Sequence, residues 1–309
     1  MTAACIYVTN QPNNRHDPGS YALAFGSNAN GNVAPVQTIR GSKTGLGQPE
    51  GIAVDAGGNI YITNQSLPPS VTVFAPGANG NAAPFRTIVG PRTGLKLPTG
   101  IALDAAGNIF VADFGNGSSG PGSVEVYAAG SNGNVAPLRT IQGDRGALTF
   151  PIGIAVDSNR NIYVASAGQF GGVTVYAPGA HGDAKPLREI RGDRTQMNNP
   201  VGITLDAKGV TYVANGSGNQ LNVYAAGANG NVAPIRAIAG PHTKLRLPVG
   251  IALDAAGNIY VSDSPQWCCP RSFVRVYAAG ANGDVAPLRS IGGSNTEVES
   301  LGGAGIAVH

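Results

Sequence analysis

Four side chains have the chemistry for acid–base or metal work: Glu50, Asp113, Asp263 and His242. None sits in a spacing that assembles a site by itself. The histidines, His16, His181, His242 and His309, form no H-x-H or H-E-x-x-H pair that would place two imidazoles on one ion. The serine-rich stretches lack the G-x-S-x-G context of a hydrolase nucleophile. Cys268 and Cys269 are adjacent, so their Cα atoms lie about 3.8 Å apart, below the roughly 4.4–6.8 Å of an ordinary disulfide. They read as free thiols, with a strained vicinal disulfide as the alternative. Any catalytic site must therefore be gathered across distant segments. Charge is better represented: Lys43, Arg92, Lys96, Arg145, Arg194, His242, Lys244 and Arg246 recur in one class of connecting segment, against Asp144 and Asp193.

The elements that position these residues come from a repeat. Gly51-Ile-Ala-Val-Asp55 recurs as Gly100-Ile-Ala-Leu-Asp104, Gly153-Ile-Ala-Val-Asp157, Gly202-Ile-Thr-Leu-Asp206 and Gly250-Ile-Ala-Leu-Asp254, at intervals of 48 to 53 residues. After each comes a short Asp- and Gly-bearing turn and a second apolar run, such as Asn108-Ile-Phe-Val-Ala-Asp113, which together read as a hairpin. An alternating third strand (Ser123-Val-Glu-Val-Tyr127), an Asn-Gly segment and a last strand (Leu138-Arg-Thr-Ile141) complete the period. Four strands in about fifty residues is the signature of a propeller blade. Composition agrees, since 46 glycines, 22 prolines and 12% charged residues suit a turn-dense all-β chain. The net charge of +3 is too mild to imply nucleic acid by itself, and no apolar run approaches the roughly 18 residues that cross a membrane.

Second strands recur six times, at Ile6, Ile60, Ile109, Ile162, Thr211 and Ile259, but the first lacks its preceding strand. Gly305-Ile-Ala-Val-His309 is a first strand without its second. Pairing the two closes the ring and removes exposed strand edges. The expectation is a single domain over residues 1–309: an all-β, six-bladed propeller of four-stranded antiparallel blades, closed by its C-terminal strand in the N-terminal blade.

The unit Pro-x-Gly-Ile-Ala-Val-Asp-x-x-Gly-Asn-Ile-Tyr-Val-x-Asp, followed by Val-x-Val-Tyr, resembles the NHL repeat over nearly the whole chain. The resemblance implies that the first strand lines a central channel and that Pro-x-Gly and the loop after the second strand share one face, the top. Asp55, Asp104, Asp157, Asp206 and Asp254 read as turn residues on the opposite face, with the Asn-Gly turns beside them. Arg86, Arg139, Arg188, Arg236 and Arg289 read as charges that block edge-to-edge pairing of the outermost strands. Tyr127, Tyr176, Tyr224 and Tyr277 read as packing between blades.

Propellers of this type include sensor domains, RNA-binding modules, lactonases and lyases, so the fold leaves function open. Gluconolactonase-type propellers hold a metal with the residue between Pro and Gly. Those positions are Glu50, Thr99, Ile152, Val201, Val249 and Ala304 here, and a hard cation needs several converging oxygens. No metal or other cofactor is therefore expected. The top loops differ between blades: residues 10–20 carry Arg15, His16 and Asp17, residues 113–123 are rich in Gly and Ser, and residues 264–272 carry Trp267. The favoured function is a non-enzymatic scaffold that binds a protein or anionic polymer through Trp267, Arg15, Lys96, Lys244 and Arg246. The alternative is a lactonase-like or streptogramin-lyase-like enzyme using Glu50, Asp113, Asp263 and His242 at the top of the channel. A monomer is expected, in an extracellular or periplasmic compartment if a targeting segment lies outside this sequence.

Overall fold

The computed structural model describes residues 5–11, 19–116, 121–142, 148–167, 171–264, 271–298 and 301–309. Six four-stranded antiparallel sheets follow one another around a ring. Blade 3 is typical, with strands Pro98–Leu103, Ile109–Asp113, Ser123–Tyr127 and Arg139–Ile141 running from the axis outward. The second and third strands are buried along nearly their whole length, because each blade is covered on both faces. Alternate side chains point to opposite neighbours. Thus Val111 and Tyr127 join Val71, Val73 and Ile88 of blade 2, whereas Phe110, Val124 and Val126 join Ile162 and Val164 of blade 4. One such apolar cluster fills each interface between neighbouring blades.

Blade 1 is completed by Leu301–Val308, which pairs with Cys5–Asn10 in the register Ile6↔Val308, Tyr7↔Ala307 and Val8↔Ile306. Backbone bonds between Cys5 and His309 in both directions, 2.9 and 3.1 Å, finish the seam. Ring closure is as expected from the orphan strands.

The Asn-Gly segments depart from expectation. Instead of turning on the underside, each climbs the outermost strand of the preceding blade and forms a parallel bridge to it: Gly31↔Ile291, Ile39↔Gly80, Ile88↔Gly133, Ile141↔Gly182, Ile190↔Gly230 and Ile238↔Gly283. Gly133 sits at φ 75°, where a side chain is disfavoured. Its N–H donates to Thr87 O (2.7 Å), and Val89 N–H donates back to Gly133 O (3.2 Å). The flanking asparagines finish the clamp. Thr87 N–H donates to Asn132 Oδ1 (2.9 Å) and Arg92 N–H to Asn134 Oδ1 (2.8 Å).

This corrects the reading of the outer arginines. The strand edges that they were expected to guard are already covered by the next blade. Arg86, Arg188, Arg236 and Arg289 instead lie half-buried and donate to Tyr61, Tyr163, Tyr212 and Tyr260 Oη at 2.9–3.2 Å. Arg139 faces Phe110 and donates to Pro178 O of the next blade (2.6 Å). The turn aspartates behave as expected: Asp104 Oδ1 accepts from Ala106 and Asn108 N–H, and the other four repeat the bond from the residue four positions on.

Candidate functional site

The innermost strands enclose a channel of about 280 Å³ lined by Gly-Ile-Ala-Val/Leu segments of all six blades. Thr204 is the one polar side chain among the described residues of its wall. Near the top, Gly51, Gly100, Gly153 and Gly202 of the Pro-x-Gly segments each pack against the backbone of the next blade. A Cβ at Gly100 would collide with Ile152 O, and one at Gly153 with Val201 O. Buried threonines secure the same collar: Thr63 Oγ1 donates to Thr99 O (2.5 Å) and Thr9 Oγ1 to Glu50 O (2.6 Å).

None of the four acid–base candidates lines the channel wall. Glu50 stands at the mouth, where Gln11 Nε2 donates to its Oε1 (2.6 Å). Among its described counterparts, Thr99 turns its hydroxyl to Ala112 and Pro151 carbonyls, and Ile152, Val201 and Val249 are apolar. Asp113 is fully buried at the end of its strand, and its oxygens accept from Lys96, Leu97 and Gly115 N–H at 2.8–3.0 Å. Asp263 holds the matching loop of blade 6 through Arg246 and Leu247 N–H (2.9 and 2.8 Å), and its second oxygen accepts from Arg275 Nε (2.8 Å). His242 lies on an exposed 3₁₀ turn with Nδ1 2.6 Å from Asp284 Oδ2. Among the described residues, no three of His, Cys, Asp and Glu converge as metal ligands would.

The top loops give the other candidate set its setting. Lys43, Arg92, Lys96, Arg194, Lys244 and Arg246 are all exposed there. Most of the described acids nearby are engaged, Asp113 by backbone N–H groups, Asp263 by Arg275, Asp284 by His242 and Glu297 by Arg40 (3.0 Å), while Asp193 is exposed. Lys43, Arg92, Lys96, Arg194 and Lys244 form no ion pair with a described residue. Phe114 and Phe150 stack beside the Lys96 loop with centroids 4.8 Å apart. Trp267, Arg15, His16, Asp17, Arg145, Cys268 and Cys269 lie outside the described residues, as does the side chain of Ala304.

Sequence reasoning passed over Glu125, which is buried in the third strand of blade 3. A signal was available. The middle of that strand is Thr72, Glu125, Thr174, Asn222 and Arg275 in blades 2 to 6, a polar residue in a segment otherwise built for burial on both faces. The outer perimeter also exposes one large apolar residue per blade, Val36, Phe85, Leu138, Leu187, Ile235 and Leu288, each directly before its outermost strand. No helix among the described residues is long and apolar enough to cross a membrane.

Residues 139–166, from the outermost strand of blade 3 to the second strand of blade 4, match a family model described as a β-propeller repeat. No curated protein matches the chain in sequence. Among solved structures, a protein of unknown function from Bacteroides caccae is similar at 12% identity and a TM-score of 0.68, over 96% of this chain and 97% of that one. A candidate 6-phosphogluconolactonase from Bacteroides uniformis shares 15% identity at a TM-score of 0.60, over 94% of this chain and 83% of that one. The WD40 β-propeller domain of Doa1 shares 11% at 0.57, over 94% and 81%. At such identities these likenesses establish a common β-propeller fold, WD40-type propellers included.

Proposed function

We propose that the chain is a binding scaffold of NHL-like type whose top-face loops hold an anionic partner, a polymer or a protein surface. One observation carries this reading: Lys43, Arg92, Lys96, Arg194 and Lys244 are exposed without an ion-pair partner among the described residues, whereas of the described acids beside them only Asp193 is exposed and unengaged. A field of one sign attracts and orients an oppositely charged partner. Lys96, Lys244 and Arg246 supply charge, and Trp267 and Arg15 are the proposed contacts from the two loops outside the described residues. The fold likeness to a candidate lactonase favours the enzymatic reading less than these side chains oppose it, because Asp113 and Asp263 spend their oxygens holding loops.

Heparin, as a probe anion, tests the reading. Replacing Lys96, Lys244 and Arg246 with Glu is expected to weaken heparin binding by about tenfold or more, equivalent to ~1.4 kcal/mol, and to flatten its salt dependence. Replacing Lys185 and Lys208, exposed away from the top loops, should leave both unchanged. A larger loss from the second pair than from the first set overturns the assignment to the top face.

A further inference from the structure

Blade 3 differs from its sisters at one buried pair. Where the second strand ends, facing the polar middle of the third, blade 2 has Asn64 donating to Thr72 Oγ1 (3.1 Å). Blade 6 has Asp263 paired with Arg275, the two side chains 0% and 7% exposed. In blade 5 Asn215 and Asn222 both donate to the Gln196 carbonyl of the loop above (2.7 and 3.1 Å). Blade 3 places two acids there, Asp113 and Glu125, at 0% and 2% exposure. Burial raises the Asp113 carboxyl above its ordinary value, and three backbone N–H bonds oppose that rise by favouring its anion. Glu125 Oε1 accepts from Ser123 Oγ (2.6 Å), while Oε2 is buried with no hydrogen-bond partner among the described residues.

Residues 90–97 cover this pair. Gly94, at φ 80°, lies so close that a Cβ there would stand 3.6 Å from Glu125 Cγ, and Tyr127 Oη donates to Thr93 O (2.6 Å). Leu95 enters the apolar cluster between blades 2 and 3, whose blade 2 members near it are Val71, Val73 and Ile88. The titratable and charged groups that face Glu125 are Asp113 from the second strand, Lys96 from the loop and Tyr127 from its own strand. Two carboxylates so placed cannot both keep their charge cheaply. Burial first, and then the charge of Asp113, push the Glu125 carboxyl up to about 8.

We propose that Asp113 and Glu125 form a proton-dependent latch: a protonated Glu125 lets residues 90–97 close over blade 3, and loss of that proton loosens the segment that carries Lys96. The sign follows from linkage. Between the ordinary 4.5 and about 8 the folded state holds a proton that the unfolded chain has released, so stability falls as pH rises through that window and levels off above it. The test needs no ligand and is independent of the proposed binding function.

Melting curves of the wild type and Glu125→Gln from pH 5 to 9, with amide protection at residues 95–97, decide the matter. The expected result is a wild-type midpoint that falls relative to Glu125→Gln as pH rises, with protection of those amides dropping about tenfold, that is ~1.4 kcal/mol. Asp113→Asn should move the wild-type transition to lower-charge behaviour, with its midpoint shifted toward acid, because the neighbouring charge is gone. If Glu125→Gln does not fold, wild-type protection at pH 6.5 and 9 decides alone. A melting difference independent of pH, or one that appears only when a chelator is added, overturns the latch, the second by assigning the pair to a cation.

Discussion

The perimeter of this ring repeats one clamp blade after blade, whereas the top face repeats a backbone cap and varies the side chains around it. Around the perimeter, blade after blade makes the same bonds: Asn81 Oδ1 accepts from Lys43 N–H, Asn134 from Arg92, Asn231 from Arg194, Asp284 from His242 and Asn32 from Asn295, all at 2.7–2.8 Å. On the top face one cap repeats, Gly47, Lys96, Asn198 and Arg246 N–H donating to Asn64, Asp113, Asn215 and Asp263, but the side chain beneath it diverges: Thr72 in blade 2, Glu125 in blade 3, Asn222 in blade 5 and Arg275 in blade 6. A ring of similar units holds only if every interface forms, so each blade must present the surface its neighbour expects. A loop that faces solvent is under no such demand, and that is where differences can accumulate and act.

The comparison breaks most visibly at the seam. Removing residues 301–309 takes the innermost strand from blade 1 and exposes the edge of Cys5–Asn10. The shortened chain should aggregate or melt far below the parent, as size exclusion and calorimetry would show. A smaller effect is expected at the collar. Gly153→Ala forces a methyl group against Val201 O, and overpacking of this kind costs about 1–3 kcal/mol. Denaturant unfolding measures it, and no loss would mean that the collar yields. Smaller again is one clamp: Asn134→Ala leaves Arg92 N–H without its acceptor at an exposed site, for about 1 kcal/mol. Least of all is the effect of Lys208→Glu on an exposed turn, within about 0.5 kcal/mol.

Much of the architecture was legible because the repeat carries it twice, once in spacing and once in alternation. The Gly-Ile-Ala-Val-Asp segments placed the innermost strands, and the unmatched Gly305-Ile-Ala-Val-His309 led to the observed register with Ile6 and Val8. Asp104 and its counterparts were legible because their partners lie within four residues. The Asn-Gly clamp was not, for the opposite reason. Asn134 and Arg92 are 42 residues apart, and an asparagine beside a glycine looks the same whether it shapes a turn or holds a neighbour. The outer arginines were misread with it, since their role depended on whether the strand edge was bare. Of the site, the exposure of Lys96, Lys244 and Arg246 followed from their place in loops. The burial of Asp113 and Asp263 did not, because a strand-ending aspartate can face solvent or cap the loop above it.

The division of labour between perimeter and top face is tested most directly by melting two triple variants side by side at pH 7. One replaces the clamp residues Asn81, Asn134 and Asn231 with Ala; the other replaces the exposed top cations Lys43, Arg194 and Lys244 with Glu. The three clamps are far apart, so their losses should add to about 3 kcal/mol and lower the melting temperature by several degrees. The charge-reversed protein should melt within a degree or two of the parent. A clamp variant as stable as the parent, beside a charge-reversed variant that unfolds early, would contradict the division.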